Sequence, residues 1–257
     1  MSLAIELIST DFDGTLFAEF ENPPVPRKLQ ELIGSLQARG AKWVINTGRD
    51  LSSLLETLGR SRLAVHPDYL VLVEHEIFVR QDHDYVPHWK WNDACTQAHA
   101  ELFRRVRADL PGLSAWVHRR FPVIIYEDVF SPFCFIAEKV TDADQIHEYL
   151  DHYCKSVPHL TVMRNDVYAR FSHDAFNKGS ALAEIASRHG IKPERTFAAG
   201  DHLNDLPMLS RQYAHCLASP SNAIDIVKDT VRSQQGHISH LSHGHGVADG
   251  LEHFLGK

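Results

Sequence analysis

Two kinds of apolar pattern alternate over the first eighty residues of the chain. Short apolar runs bounded by turn residues predict buried strands, and apolar residues spaced three and four apart predict helices. The first helical pattern extends from Leu29 to Leu36, and Gly40 ends it. The resulting order is strand, helix, strand, helix, strand, which requires right-handed crossovers and a parallel sheet. The predicted strands cover residues 3–9, 41–46 and 69–80, the last including a short hairpin, and the second helix contains Leu51, Leu54, Leu55 and Leu58.

The middle of the chain has a different pattern. Helices are predicted at about 91–109 and 142–155, and they are grouped with short strand candidates. This grouping is typical of an α+β module, so we expect a separate domain inserted into the α/β part. Its predicted limits are residues 82–175, which leaves residues 1–81 and 176–257 for the core. The strand candidates are residues 114–119, 122–127, 133–138, 160–164 and 167–171.

The strand and helix alternation returns after residue 176. Helices are predicted at 178–189, 203–210 and 221–229, and strands at 195–200 and 214–218. The predicted fold class is therefore α/β, a doubly wound parallel-sheet (Rossmann-like) core with an inserted α+β cap domain.

Charge and composition narrow the choice of partners. The chain has 257 residues, of which 44% are hydrophobic and 23% charged, as in an ordinary globular protein. Its net charge of −7 argues against a nucleic-acid partner.

No apolar stretch is long enough to span a bilayer, and Glu6 and Asp11 interrupt any secretory h-region. The four cysteines lack CxxC spacing, which indicates reduced thiols, so we expect a cytoplasmic protein with no membrane partner. The oligomeric state stays open.

The stretch "LISTDFDGTLF" ends an apolar strand in two carboxylates, Asp11 and Asp13. One explanation is a simple turn, because Asp, Gly and Thr are common turn residues. The other explanation is a site at the carboxyl edge of the sheet, where doubly wound folds bind ligands. Thr47, Lys178 and the "GDHLND" segment also follow predicted strands or begin helices, so we expect them at the same edge.

The residue types in these clusters favour chemistry on phosphate. The carboxylates of Asp11, Asp13, Asp201 and Asp205 would repel one another, and a hard divalent cation such as Mg²⁺ would compensate for them. Lys178 supplies a further positive charge. The hydroxyl of Thr47 and the amide of Gly48 would bind phosphoryl oxygens at a helix N-terminus. In such a site Asp11 can attack phosphorus, and Asp13 can transfer protons.

Four segments in this order resemble the motifs of the haloacid dehalogenase-like phosphohydrolases. They are "DFDGT", the Thr of "NTGRD", the Lys of "FNKGSAL" and "GDHLNDLPML". The insert lies between the second and third motifs and looks like the type IIB cap of Cof-like and sucrose-phosphatase-like members. The resemblance implies a Mg²⁺ cofactor.

The resemblance also implies a role for each matching residue. Asp11 is the nucleophile and a metal ligand, and Asp13 is the general acid/base, whose backbone carbonyl binds the metal. Thr47 and Lys178 orient the phosphoryl group, and Asp201 is a metal ligand. The remaining candidates are Gly48, Arg49 and Asn204 for phosphate or substrate, and Asp205 for the metal or Lys178. Arg49 has an equally simple explanation as a brace for the Thr47 loop.

The expected function is hydrolysis of a small phosphorylated metabolite, a sugar phosphate in the first place, through an aspartyl-phosphate. A phosphomutase of the same superfamily is one alternative, since Asp13 does not exclude it. A protein that binds a phosphorylated metabolite without catalysis is another, although Asp11, Asp13 and Lys178 are all present.

The stretch "GHISHLSHGHG" contains four histidines close together. An irregular His spacing in a Gly- and Ser-rich segment is more typical of a polar loop than of a metal site. The family pattern places this loop beside the active site, so histidines that face the substrate are the alternative. The histidines are His237, His240, His243 and His245.

Overall fold

The computed structural model of the chain describes residues 5–256. These residues form twelve strands and eight α-helices, numbered in chain order. The strands are β1 Leu7–Thr10, β2 Lys42–Asn46, β3 Tyr69–Leu72, β4 Glu76–Gln81, β5 Asp84–Pro87, β6 Val123–Tyr126, β7 Cys134–Ala137, β8 Leu160–Asn165, β9 Tyr168–His173, β10 Thr196–Ala199, β11 Cys216–Ser219 and β12 His237–Ile238. The helices are α1 Arg27–Gln37, α2 Leu51–Ser61, α3 Trp89–Val106, α4 Leu110–His118, α5 Val140–Cys154, α6 Lys178–His189, α7 Asp225–Ser233 and α8 His243–Leu255.

The chain folds as two compact units. The first contains the residues up to Trp89 and those from Asn177 onward, and the second is Lys90–Phe176. The prediction placed the insert at 82–175, whereas residues 82–89 lie in the first unit. They do so because β5 pairs with β4 and extends the large sheet.

The first unit is built on one sheet with the strand order β12-β11-β10-β1-β2-β3-β4-β5. The strands from β12 to β3 are parallel, and the β4–β5 hairpin continues the sheet antiparallel. All residues of β1, β3, β10 and β11 are buried, as is typical of parallel strands covered on both faces. The predicted α/β fold class is confirmed.

Polar side chains determine where two helices of this unit, α2 and α6, begin. Asp50 caps α2, because its side chain accepts a hydrogen bond from the Ser53 amide at 2.8 Å. A capping box starts α6: the Asn177 side chain accepts from the amide of Ser180, and the Ser180 hydroxyl oxygen accepts from the amide of Asn177. The first residue after this cap is Lys178, so local polar bonds fix where its side chain begins.

The second unit packs three helices with the antiparallel sheet β6-β7-β9-β8. Its core contains Leu102 and Val106 of α3, Ile146 of α5, and Phe135 and Phe171 of the sheet. This is the expected α+β arrangement.

Several predicted elements were wrong or incomplete. The strand at 114–119 is part of α4, which buries Leu113 and Val117 four residues apart. The helix at 203–210 is only a 3-10 turn, Leu203–Asp205, since Pro207 offers no amide to continue it. Residues 3 and 4 of the first predicted strand lie outside the described residues. Helix α8 and strand β12 were not predicted.

The four cysteines are free and buried, in keeping with the expected reduced thiols. Among residues 5–256, none of the helices combines the length and the apolar character that a membrane span requires.

Replacing Asn177 by Ala should remove the cap of α6. We expect the free energy of unfolding to fall by about 1 kcal/mol, because two amides of the first turn lose their acceptor. Urea titration followed by circular dichroism would measure the change. Asn177→Ser is the matched control, since serine is also a good cap, and equal stability of the Ala and Ser variants would contradict the prediction.

Candidate active site

The carboxyl ends of three neighbouring parallel strands bring the predicted residues together. Asp11 directly follows β1, Thr47 directly follows β2, and Asp201 follows β10 after one glycine. Because parallel strands end at the same edge, side chains from three distant parts of the sequence converge there. The structure therefore brings together, at one edge of the sheet, residues that the sequence predicted to meet there.

Lys178 is the centre of this cluster and is completely buried. Its Nζ lies 2.6 Å from Asp11 Oδ1, 2.7 Å from Asp205 Oδ1 and 3.8 Å from Glu74 Oε2. Burial acts to lower the pKa of Lys178, but the charges of Asp11 and Asp205 outweigh it and raise this pKa well above its ordinary value. The ammonium group therefore stays charged inside the protein.

The carboxylates around Lys178 carry more negative charge than one ammonium group can balance. Asp11, Asp201 and Asp205 each place an oxygen within 4.8 Å of the others. Burial, and then the charge of Asp205, raise the pKa of Asp11 well above its ordinary value and that of Asp201 to about 7. A cluster of buried oxygens with excess negative charge suits a hard divalent cation. The residues present therefore fit Mg²⁺.

Asp205 is already engaged by the protein. Its Oδ1 accepts from Lys178, and its Oδ2 accepts from the amides of Asp201 at 2.8 Å and His202 at 3.0 Å. These bonds make Asp205 a brace that ties the β10 loop to Lys178. Direct metal binding by Asp205 stays a prediction.

Asp13 is held by Arg49. The guanidinium group donates from Nε to Asp13 Oδ2 at 2.7 Å and from Nη2 to Asp13 Oδ1 at 2.6 Å. Arg49 also donates to the Thr57 hydroxyl at 2.7 Å, which anchors it on α2. Such a two-pronged pair fixes the direction of the carboxylate. Arg49 is thus a brace, but its guanidinium group holds Asp13 and not the Thr47 loop that the sequence suggested.

The loop after β2 approaches the Glu74 side chain so closely that residue 48 has to be glycine. A Cβ atom on Gly48 would lie 2.6 Å from Glu74 Oε1. Thr47 is buried, and its hydroxyl oxygen accepts from the Arg49 amide at 3.2 Å. The Thr47 hydroxyl hydrogen stays available for a phosphoryl oxygen.

Glu74 is the site residue that sequence reasoning missed. It is buried with a left-handed backbone (φ +75°), and its Oε1 accepts from Asn204 Nδ2 at 3.0 Å. Its amide donates to the Thr47 carbonyl at 3.0 Å, which links it to the phosphate loop. One signal could have found it: Glu74 is the first carboxylate after the apolar run that contains the third parallel strand, two positions past the end of that strand.

Two buried oxygens beside Lys178 have no hydrogen-bond partner among the residues that the structure describes. They are Glu74 Oε2 and Asn204 Oδ1. Buried acceptors are normally satisfied by protein or by ordered water. The site therefore offers two acceptors to donors from outside the protein, such as water molecules around a bound cation.

The four histidines near the C-terminus have different surroundings. His237 lies 2.7 Å from Asp249, and His245 lies 3.8 Å from Glu21. His243 contacts the loop of Asp11 and Asp13, with its Nδ1 2.9 Å from the Gly14 carbonyl. Of the four, only His240 lies between regular elements, because His237 lies in β12 and His243 and His245 lie in the first turn of α8. The polar-loop interpretation is therefore wrong for most of this stretch, and His243 lies at the edge of the candidate site.

Comparisons with known proteins show which sequences this chain resembles. The sequence model of a family described as haloacid dehalogenase-like hydrolase matches residues 8–71 and 123–251, well over half of the chain. A relative, the phosphoglycolate phosphatase of Methanopyrus kandleri, is 28% identical over 258 residues and covers 97% of each chain.

Solved structures show the same fold over nearly the whole chain. The sucrose-phosphatase of Synechocystis, solved with sucrose and phosphate, has a TM-score of 0.72 at 19% identity and covers 99% of this chain and 98% of its own. A haloacid dehalogenase-like hydrolase from Bacillus subtilis has a TM-score of 0.64 at 16% identity, with 98% and 94% covered.

The metal-free protein should lose stability as the pH rises toward neutrality. Folded Asp201 keeps its proton up to a pKa of about 7, whereas an unfolded Asp titrates near ~4. The folded state thus binds more protons between these values, so the free energy of unfolding falls with pH in that window. The Asp201→Asn variant has an amide that does not titrate, so its free energy of unfolding lacks this dependence on pH. In EDTA, its melting temperature should therefore exceed that of the wild type by more at pH 7.5 than at pH 5, and a constant difference would contradict this account.

Proposed function

The chain belongs to the haloacid dehalogenase-like hydrolases, and from that premise we propose that it is a Mg²⁺-dependent phosphatase of small phosphorylated metabolites. One observation carries the proposal: Lys178 holds Asp11 inside a cluster of carboxylates at the carboxyl edge of the parallel sheet. A buried aspartate is suited to receiving a phosphoryl group when a lysine pairs with it and further carboxylates lie beside it.

The side chains supply a two-step reaction. Asp11 attacks phosphorus and forms an acyl-phosphate bond while the bond from phosphorus to the leaving oxygen breaks. To act as the acid, Asp13 must leave its ion pair with Arg49 and take up a proton, which it then gives to that oxygen. It next takes a proton from a water molecule that attacks the same phosphorus and releases Asp11. Lys178 and the Thr47 hydroxyl hold the phosphoryl oxygens in line. The products are the dephosphorylated alcohol and inorganic phosphate.

Asp11, the backbone carbonyl of Asp13 and Asp201 are the groups that we assign to the cation. Mg²⁺ prefers oxygen ligands and retains several of its waters, and it supplies charge stabilisation to the transferring phosphoryl group. The unpartnered Asn204 Oδ1 supports this assignment, because a buried acceptor next to the cluster can bind such a water. Direct binding by Asp205 is the weaker part of the assignment, since both of its oxygens are engaged.

The proposed substrate class is a sugar phosphate, with phosphoglycolate as the competing substrate that the Methanopyrus relative suggests. A panel that contains phosphoglycolate, hexose phosphates and sucrose phosphate would separate the two. We further propose a cytoplasmic location. The role of the second unit as a cap that selects the leaving group stays a prediction.

Replacing Asp11 by Asn should abolish turnover, because the amide is not a nucleophile and the shape of the side chain is retained. Release of p-nitrophenol from p-nitrophenyl phosphate would measure this. Asp225→Asn is the matched control, since that side chain is 98% exposed on α7 and should retain full activity. Turnover of Asp11→Asn near the wild-type level would exclude the covalent mechanism.

Asp13→Asn should slow turnover by roughly 10²–10⁴-fold, which is the usual contribution of a general acid/base. Hydrolysis of the phospho-enzyme also needs this base, so phosphorylated Asp11 should accumulate. Acid quenching followed by mass spectrometry would detect it. An Asp13→Asn enzyme that works at the wild-type rate would show that another group transfers the proton.

Activity should disappear in excess EDTA and return on addition of Mg²⁺. Ca²⁺ should compete with Mg²⁺ without supporting turnover, because its larger and looser coordination misplaces the nucleophile relative to phosphorus. Initial rates over a Mg²⁺ titration with and without Ca²⁺ would show this. Full activity in EDTA would overturn the metal assignment.

A further inference from the structure

The segment His243-Gly244-His245-Gly246 places histidines and glycines in different environments at the start of α8. A Cβ atom on Gly244 would lie 2.5 Å from Pro26 Cδ and 2.8 Å from the Leu16 carbonyl oxygen. A Cβ atom on Gly246 would lie 2.7 Å from Pro220 Cβ. The glycines therefore let this segment pack tightly, and the tight packing fixes the position of His243.

Two side chains hold the carbonyl group of Gly14. Asn222 donates from Nδ2 to this oxygen at 2.8 Å, and His243 Nδ1 lies 2.9 Å from the same oxygen. The His243 amide donates to Asn222 Oδ1 at 2.7 Å, which fixes the orientation of the Asn222 amide group. Both acceptor positions of the Gly14 carbonyl are thus occupied.

The contact with the Gly14 carbonyl shows which ring nitrogen of His243 carries a proton. A carbonyl oxygen only accepts hydrogen bonds, so His243 Nδ1 must carry a proton. His243 also has a left-handed backbone (φ +50°), which is unfavourable for a residue with a β-carbon. Strained backbone held in place by its surroundings is common at functional sites.

Gly14 lies between Asp13 and Thr15, and Thr15 binds the Asp201 side chain. The backbone of Gly14 is left-handed (φ +79°), and a Cβ atom there would lie 2.6 Å from Asp201 Oδ2. The next residue, Thr15, donates its hydroxyl to Asp201 Oδ1 at 2.7 Å. The Gly14–Thr15 peptide therefore sets both the course of the chain after Asp13 and the position of the Asp201 carboxylate.

We propose that His243 is a positioning residue for the phosphatase site. By donating to the Gly14 carbonyl, it holds the Gly14–Thr15 peptide in the orientation that presents Asp201 and the Asp13 carbonyl to the cation. The inference rests on the proposed function. His243 acts through the backbone and need not contact the substrate.

Three variants separate the donor from the shape of the loop. In His243→Asn, the side-chain Nδ2 can take the place of Nδ1 as donor, and asparagine tolerates a left-handed backbone. His243→Gly relieves the backbone strain and removes both the donor and the ring contact with Phe20, whereas His243→Asn restores only the donor. Comparison of the two variants therefore isolates the hydrogen bond. His245→Gly is the matched control, because within residues 5–256 the polar contact of the His245 side chain is a long one, 3.8 Å to Glu21.

The first measurement is Mg²⁺ binding by isothermal titration calorimetry, which does not depend on turnover. We expect His243→Gly to bind Mg²⁺ about 10-fold more weakly, as is usual when a residue that orients metal ligands is removed. His243→Asn should stay within about threefold of the wild type, and His245→Gly should match it. Equal Mg²⁺ affinity of His243→Gly and the wild type would overturn the proposal.

The second measurement is the kinetics of p-nitrophenyl phosphate hydrolysis over a Mg²⁺ titration. His243→Gly should need more Mg²⁺ for half-maximal rate and show a lower kcat, with KM for the phosphate ester little changed. Rescue in His243→Asn would support the donor role, whereas an equal loss in the Asn and Gly variants would overturn it. If the wild type hydrolyses no phosphate ester but the variants keep this order of Mg²⁺ affinities, the proposed function fails and the positioning role is supported.

Discussion

The site depends on the ion pairs that the buried ammonium group of Lys178 makes with Asp11 and Asp205. A charge without solvent exposure is tolerable only with close partners, and Lys178 has Asp11 at 2.6 Å and Asp205 at 2.7 Å. Those partners come from the ends of two different strands, and the lysine itself begins α6. The three segments must therefore meet at one point of the sheet edge for the folded state to be stable. This electrostatic requirement and the parallel topology specify the same arrangement of the candidate site residues.

The same pairing leaves an excess of negative charge that the protein does not balance by itself. Asp205 is satisfied by two amides and by Lys178, so its charge is well accommodated. Asp11 and Asp201 instead have raised pKa values, with burial as the main cause. The negative charges of Asp11 and Asp201 are unfavourable in the metal-free protein. The same carboxylates can act as oxygen ligands when a divalent cation is present. The proposed dependence on Mg²⁺ thus follows from the electrostatics of the cluster as well as from the family.

Most of the core fold and the position of the site could be predicted from the sequence, because both depend on strong local signals. Buried parallel strands give unbroken apolar runs, and polar residues at their ends must meet at one edge. Glu74 was missed because the sequence shows it only as a carboxylate beyond a strand, and the left-handed backbone that brings it to the Thr47 loop is not apparent from the sequence. His243 stayed ambiguous for a similar reason, since its partner Gly14 is 229 positions away. The helix predicted at 203–210 failed because Asp205 bonds to the amides of its own loop and Pro207 cannot extend a turn.

Left-handed backbone at Gly14, Glu74 and His243 has one physical explanation. Strands deliver residues to the sheet edge, but the strand direction alone cannot orient a peptide group toward a ligand such as the proposed cation. Orientation requires a reversal of the chain within one or two residues, and for a residue with a β-carbon such a reversal is costly unless surrounding bonds hold it. The Glu74 amide donates to the Thr47 carbonyl, and Asn222 and His243 hold the Gly14 carbonyl. The rigid sheet therefore supplies position, and a small set of strained, hydrogen-bonded loops supplies direction.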